Sequence, residues 1–154
     1  MDTHERRRES LAITEAEVRR LVEDWFEAVR TEAPLDVQLK HFAPGVKVEA
    51  WTGATFDIPR HMELHRGFAD EAHRILSLAV TAIEGRSDRV RVEGEVEWEA
   101  TIKANVDEPR RIKAIVGEEW TVERGPGGQA RFVHYYSKSI RYLSGSATLD
   151  LPRR

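Results

Sequence analysis

The second half of this chain alternates apolar and polar residues with a period of two, through segments at 74 to 84, 89 to 103, 111 to 124 and 130 to 143. Successive side chains of a strand point to opposite faces, so each segment reads as a strand with one buried face. The breaks between them carry turn chemistry: Gly85-Arg86-Ser87-Asp88, residues 105 to 109, and Gly125-Pro126-Gly127-Gly128. The second half is therefore an antiparallel meander.

The first half follows a helical period. Thr14-Glu15-Ala16-Glu17 is a capping box, in which the Thr and Glu side chains reciprocally satisfy free backbone amides. Val18, Leu21, Val22, Trp25 and Val29 then recur at three- and four-residue spacing, widened by Phe26, into one apolar stripe. The helix ends before Pro34. A second short helix is predicted over 35 to 42, a strand over 46 to 51, and a third helix from Asp57 to about Arg66, capped by Asp57 and stopped at Gly67. Helices first and a long meander afterwards make the chain α+β, with the helices covering one face of the sheet.

At 154 residues, 40% hydrophobic and 33% charged, the chain suits one folded domain. That domain is read over residues 13 to 143, between an N-terminal tail at 1 to 12 and a polar C-terminal tail at 144 to 154. A net charge of -3, with acidic and basic residues interleaved, gives no stripe that would follow a nucleic-acid backbone. No stretch approaches a membrane span and the N-terminus has no apolar signal-peptide core, so a cytoplasmic protein is expected. The absence of cysteine excludes disulfides, thiol nucleophiles and thiolate metal sites.

The order of elements resembles the NTF2-like (cystatin-like) cone, and in particular its SnoaL-like branch, over nearly the whole chain. The local phrases Leu39-Lys40-His41-Phe42-Ala43-Pro44, His65-Arg66-Gly67-Phe68 and Phe132-Val133-His134-Tyr135-Tyr136-Ser137 agree with it. The resemblance implies N-terminal helices packed on a strongly curved antiparallel sheet that encloses a small-molecule pocket. It also implies a homodimer through the outer face of the sheet. The family holds polyketide cyclases, ketosteroid isomerase, dehydratases, epoxide hydrolases and noncatalytic binding or assembly domains, so the fold by itself does not select an activity.

Alternation sorts the strands into faces. The even residues of 89 to 103 and 111 to 124 form an apolar inner face that includes Val96, Trp98 and Trp120, interrupted by one carboxylate, Glu118. Continued into the last strand, the same parity places Phe132, His134, Tyr136 and Lys138 inside. A turn at 125 to 128 that pairs positions summing to 254 sets Glu118 opposite Tyr136 and Trp120 opposite His134. A carboxyl buried among apolar residues has a raised pKa suited to proton transfer, His134 exchanges a proton near neutrality, and Tyr136 can donate to a carbonyl or enolate oxygen. Glu118, His134 and Tyr136 are thus the candidate catalytic residues, with Trp25, Trp98, Trp120, Phe132, Lys138 and His65 as candidate substrate contacts.

Other readings stay open. Glu118 buried against Lys138 or an arginine would be a structural ion pair, and the aromatic residues would serve as core. His61 and His65, four apart on the third helix with His73 downstream, could face a metal, but the segment lacks the metalloprotease arrangement and no metal is expected. Outside, Glu93, Glu95, Glu97 and Glu99 lie against Arg111, Lys113, Arg131 and Arg141, with Ile115, Val133 and Tyr135 between. The functional expectation is a cone that binds a small hydrophobic molecule with a carbonyl or ring. It either catalyses cofactor-independent isomerisation, cyclisation or dehydration, or is a noncatalytic binding or assembly module.

Overall fold

A computed structural model describes residues 12–153. Helix α1 spans Glu15–Arg30, α2 Leu35–Leu39 and α3 Ile58–Arg66; the strands are β1 Val48–Glu49, β2 Thr55–Phe56, β3 Phe68–Ile83, β4 Arg86–Ile102, β5 Arg111–Arg124 and β6 Ala130–Tyr142. The six strands form one sheet in the order β2-β1-β6-β5-β4-β3. All pairs are antiparallel except β1 with β6, where Val48 lies beside Tyr135. The architecture is the α+β cone, with the N-terminal helices held against a curved, unclosed sheet.

The capping box forms as the sequence predicts: Glu17 N donates to Thr14 Oγ1 at 3.1 Å and Thr14 N donates to Glu17 Oε1 at 3.3 Å. Its partner across the molecule is Arg124, which donates to both Glu17 oxygens and to the carbonyl of Ala12. Ala12 is the one residue of the expected N-terminal tail inside the described region; residues 1 to 11 lie outside it. The α1 stripe of Val18, Leu21, Val22, Trp25, Phe26 and Val29 is buried, and it packs into a core with Val90, Val92, Val96, Trp120, Val122 and Phe132 from the sheet. Asp57 caps α3 through Arg60 N at 2.9 Å, and Gly67 ends that helix.

Three boundaries differ in ways that matter for the site. Strand β3 begins at Phe68, six residues before the expected start, because a β-bulge between Ala69 and Ala72 breaks the alternation there and hides the strand from a period-two reading. Residues 144 to 153 do not hang free as a polar tail. Ala147 and Leu151 are buried, Ala147 N donates to the Arg111 carbonyl at 2.9 Å, and Thr52 Oγ1 donates to the Pro152 carbonyl at 2.7 Å.

The third difference is the register of β6. Near the turn the pairs follow the expected sum of 254, as in Val122 with Phe132 and Arg124 with Ala130. An irregularity beyond Val122 then admits one extra residue, so Thr121 pairs with His134, Trp120 with Tyr135 and Glu118 with Ser137; a second follows before Gly117, which pairs with Ser139. Each single-residue slip exchanges the two faces of the strand. His134, Tyr136 and Lys138, expected inside, are therefore corrected to the outer side, with His134 and Lys138 exposed. Tyr135, expected outside, is 5% exposed and turned into the core.

Two substitutions two positions apart check this register. Phe132→Ala should cost about 3 to 5 kcal/mol of unfolding free energy, as truncation of a fully buried aromatic does. His134→Ala should stay within roughly 0.5 kcal/mol, as an exposed position does. Urea denaturation of both variants measures the contrast, and similar losses would mean an unbroken alternation.

Candidate functional site

Between α1, α3 and the inner face of the sheet lies a cavity of about 80 Å³, lined mostly by apolar residues that include Trp25, Phe26, Val48, Phe68, Val96 and Trp98. Its polar lining is confined to His61, His65, His73, Glu118, Tyr135 and Ser137. Of the residues expected to meet a ligand, Trp25, Trp98 and His65 reach it. Trp120 and Phe132 are fully buried core residues outside the lining, and Lys138 is exposed on the other side.

Glu118 sits at the centre of β5 opposite Gly94 of β4 and Ser137 of β6. Its side chain is 4% exposed. Ser137 Oγ donates to its two oxygens at 3.1 and 2.9 Å, and Trp120 Nε1 donates to Oε2 at 3.1 Å. Among the described residues no cation reaches it, and the buried ion pair with Lys138 does not form. Burial pushes the Glu118 carboxyl up to about 8, against the opposing effect of the bonds from Ser137 and Trp120. At neutral pH it is a protonated acid. Beside it, the Tyr135 hydroxyl accepts from Trp25 Nε1 at 3.3 Å, and burial, followed by the nearby Glu118, holds that phenol well above its ordinary range.

A second constellation enters from the hinge between α3 and β3. His65, in the last turn of α3, places Nδ1 2.8 and 3.0 Å from the two oxygens of Glu71, whose side chain is 5% exposed. Trp98 Nε1 donates to the same carboxylate at 3.0 Å. Burial raises the Glu71 pKa, but the bond and electrostatic attraction from His65, with smaller effects of His73 and of the bond from Trp98, outweigh it and hold the carboxyl below its usual value. Glu71 is thus an acceptor only, so Nδ1 of His65 must carry a proton and Nε2 is left as the basic nitrogen. This is the carboxylate–imidazole arrangement that orients a general base.

Two further histidines share the cavity. The ring of His61 lies 4.2 Å from that of His65, and His73 stacks on Phe26 at 4.3 Å. Burial is the first cause that lowers both, His73 to about 4, so both are neutral at physiological pH. Among the described residues no group of three His, Cys, Asp or Glu has the geometry to hold a metal ion.

Sequence reasoning found Glu118 and His65 but missed Glu71, Ser137 and Tyr135. Ser137 and Tyr135 follow from the slip in β6. Glu71 lies between two irregular points, the positive φ of Asp70 and the bulge before Ala72, where alternation carries no information.

No family model matches the chain and no curated protein matches it. Solved structures do. Kfla4162 from Kribbella flavida superposes with a TM-score of 0.69 at 16% identity, over 84% of this chain and 93% of that one. The hexachlorocyclohexane dehydrochlorinase LinA-type3 from Novosphingobium barchaimii gives 0.64 at 14% identity, over 88% and 94%. An NTF2-like protein from Cytophaga hutchinsonii gives 0.63 at 9% identity, over 85% and all of that chain. The chain has the NTF2-like fold. At these identities the likeness is one of fold, and the chemistry must be argued from the cone itself. No helix among the described residues is long and apolar enough to cross a membrane.

Protonation of Glu118 has a consequence for stability. Its folded pKa near 8 exceeds its ordinary 4.5, so the folded state binds the proton more tightly. The stability this contributes is fully present below pH 4.5 and is lost as pH rises through 8. His61 and His73, depressed in the folded state, act in the opposite sense: stability falls as pH drops below the ordinary histidine value. Glu118→Gln isolates the carboxyl. Relative to the unsubstituted protein it should gain stability steadily from pH 5 to 8.5, by on the order of a few kcal/mol at the top of the range. Denaturant titrations at several pH values measure this, and a pH-independent difference would mean an ionised Glu118.

Proposed function

We propose that this protein binds a small, largely apolar carbonyl- or hydroxyl-bearing molecule in the cone and moves a proton on it without a cofactor. The observation that carries the reading is the sharing of one apolar cavity by an oriented imidazole base and a protonated carboxylic acid. His65 Nε2, with Nδ1 held by Glu71, takes a proton from the carbon beside the carbonyl. Glu118, whose oxygens accept from Ser137 and Trp120, gives its proton to the carbonyl oxygen as negative charge develops there. Return of a proton to a different carbon is an isomerisation. Loss of a β-hydroxyl, carried off as water with the proton of Glu118, is a dehydration. In this reading Glu118 keeps the acid role expected of it, while Tyr135 and His65 take the places expected of Tyr136 and His134.

Support from outside the cone is of fold only. LinA-type3, which shares that fold, is a hexachlorocyclohexane dehydrochlorinase. A second reading, a noncatalytic assembly module, is favoured by the size of the cavity: about 80 Å³ is smaller than the roughly 150 Å³ that holds a benzene ring in an apolar protein interior. The reading also includes a cytoplasmic homodimer that pairs outer sheet faces. Arg89 and Arg131 there bind Glu123, and Arg74 binds Glu97, which leaves half-buried Ile115 and Val133 between charges already neutralised.

Solvent exchange separates catalyst from assembly module. In D2O at pD 7.5, cyclic ketones should incorporate deuterium beside the carbonyl faster with the protein than without it, as read by NMR. His65→Ala and Glu118→Gln should each reduce the enhancement by about a hundredfold or more, the usual contribution of a positioned acid or base. Enhancement unaffected by either substitution would refute the roles assigned. Light scattering should give twice 17.7 kDa at micromolar concentration, and a persistent monomer would refute the dimer.

A further inference from the structure

The cavity is closed on one side by a part of the chain that belongs to neither helix layer nor sheet. After β6 the backbone turns at Gly145, where φ is +81°, and runs to the loop between β1 and β2. Leu149 and Leu151 from this segment line the cavity. Leu151 packs on Ala50, Ala54 and Phe56, with Leu149, Leu64 and Trp51 against the same cluster.

Few bonds hold the segment. The Tyr142 hydroxyl accepts from Leu149 N at 2.9 Å and donates to the Leu149 carbonyl at 3.3 Å; Thr52 Oγ1 donates to the Pro152 carbonyl. At its base, Lys113 N donates to Ser146 Oγ and Ala147 N to the Arg111 carbonyl. Beyond Ala147 the anchors among the described residues are thus one tyrosine, one threonine and two leucine side chains. Such a segment opens locally at small cost compared with the strands of the sheet. Meanwhile the cavity beneath it is too small for a six-membered ring. Any ring that enters must displace something, and this segment is a wall tied down by few hydrogen bonds among the described residues.

We propose that residues 144–153 are a strap over the cone, released from Tyr142 and Thr52 when a ligand enters, and that Leu149 and Leu151 set the size of ring the cone accepts. Two leucines rather than polar groups on this wall select an apolar ring edge at the strap, with its carbonyl or hydroxyl turned toward His65 and Glu118. The proposal rests on the cone being the ligand site.

The test uses the full chain and two ketones, one-ring 2-cyclohexen-1-one and two-ring 1-tetralone, with quenching of Trp25 and Trp98 fluorescence as the signal. Leu149→Ala should shift the ratio of the two dissociation constants by about tenfold toward 1-tetralone, the scale on which a few methylenes discriminate in an apolar pocket. Leu149→Val should shift it in the same direction by less, and guards against a poorly folded alanine variant. Leu39→Ala, at an exposed leucine outside the cavity, should leave the ratio unchanged. Tyr142→Phe removes both hydroxyl bonds of the closed strap and should raise the association rate of both ketones by about fivefold, the scale of one net hydrogen bond, without changing the ratio. A ratio that is the same in both Leu149 variants and the unsubstituted protein would overturn the strap as a size filter. If deuterium exchange on the ketones persists in that case, the reading of the cone stands alone. If neither ketone binds nor exchanges, the cone reading falls and the strap proposal with it.

Discussion

The arrangement of this cone depends on two extra residues in β6. Each is a local disruption of a ladder, and each reverses which side chains face inward. Between them lie Tyr135 and Ser137, the two β6 residues that reach the cavity beside Glu118. Without the first slip, His134 and Tyr136 would face the core, and the phenol that meets Trp25 would stand in solvent. Without the second, Ile140 would leave the core cluster of Trp98, Ile112 and Val116, against which it packs. The bulges confine the polar stretch of β6 to the point where β5 presents Glu118, the carboxylate on its inner face.

The charge state of the cavity follows from that packing. Among the described residues Glu118 has two neutral donors and no cation, so burial dominates and the acid keeps its proton. Glu71, buried to a similar degree, has an imidazole and an indole aimed at it and loses its proton. Glu118 in the cavity lining and Glu71 behind His65 are thus held in opposite protonation states by their different partners. Environments that push paired groups apart in this way assign the acid and base of a site. His61 and His73 are neutral through burial, so the histidines on that wall add little charge beside the pair of His65 and Glu71.

Much of the architecture was legible in the chain. The capping box, the α1 stripe, the Asp57 cap and the parity of β4 and β5 all hold, because each depends on residues within one turn or one strand. Glu118 stood out for the same reason: a carboxylate on a face that otherwise reads Ile112, Ala114, Val116, Trp120 and Val122. His65 was legible as one of two histidines four apart on α3, and it lines the cavity. Legibility failed where alternation is interrupted, at the bulges of β3 and β6, and where polar composition suggested a free tail although Ala147 and Leu151 are buried against the sheet and the β1–β2 loop.

By itself, then, the sequence determined the layers: which segments are helix and which strand, that one sheet face is apolar, and that one acid lies within it. Local periodicity and capping decide these, and they act over a few residues. Only the tertiary structure decided the partners of that acid, the pairing of His65 with Glu71, and the packing of the C-terminal segment on the cavity. Those depend on strand register and on contacts between segments far apart in the chain. A single extra residue in β6 changes the register without leaving a mark on composition or spacing.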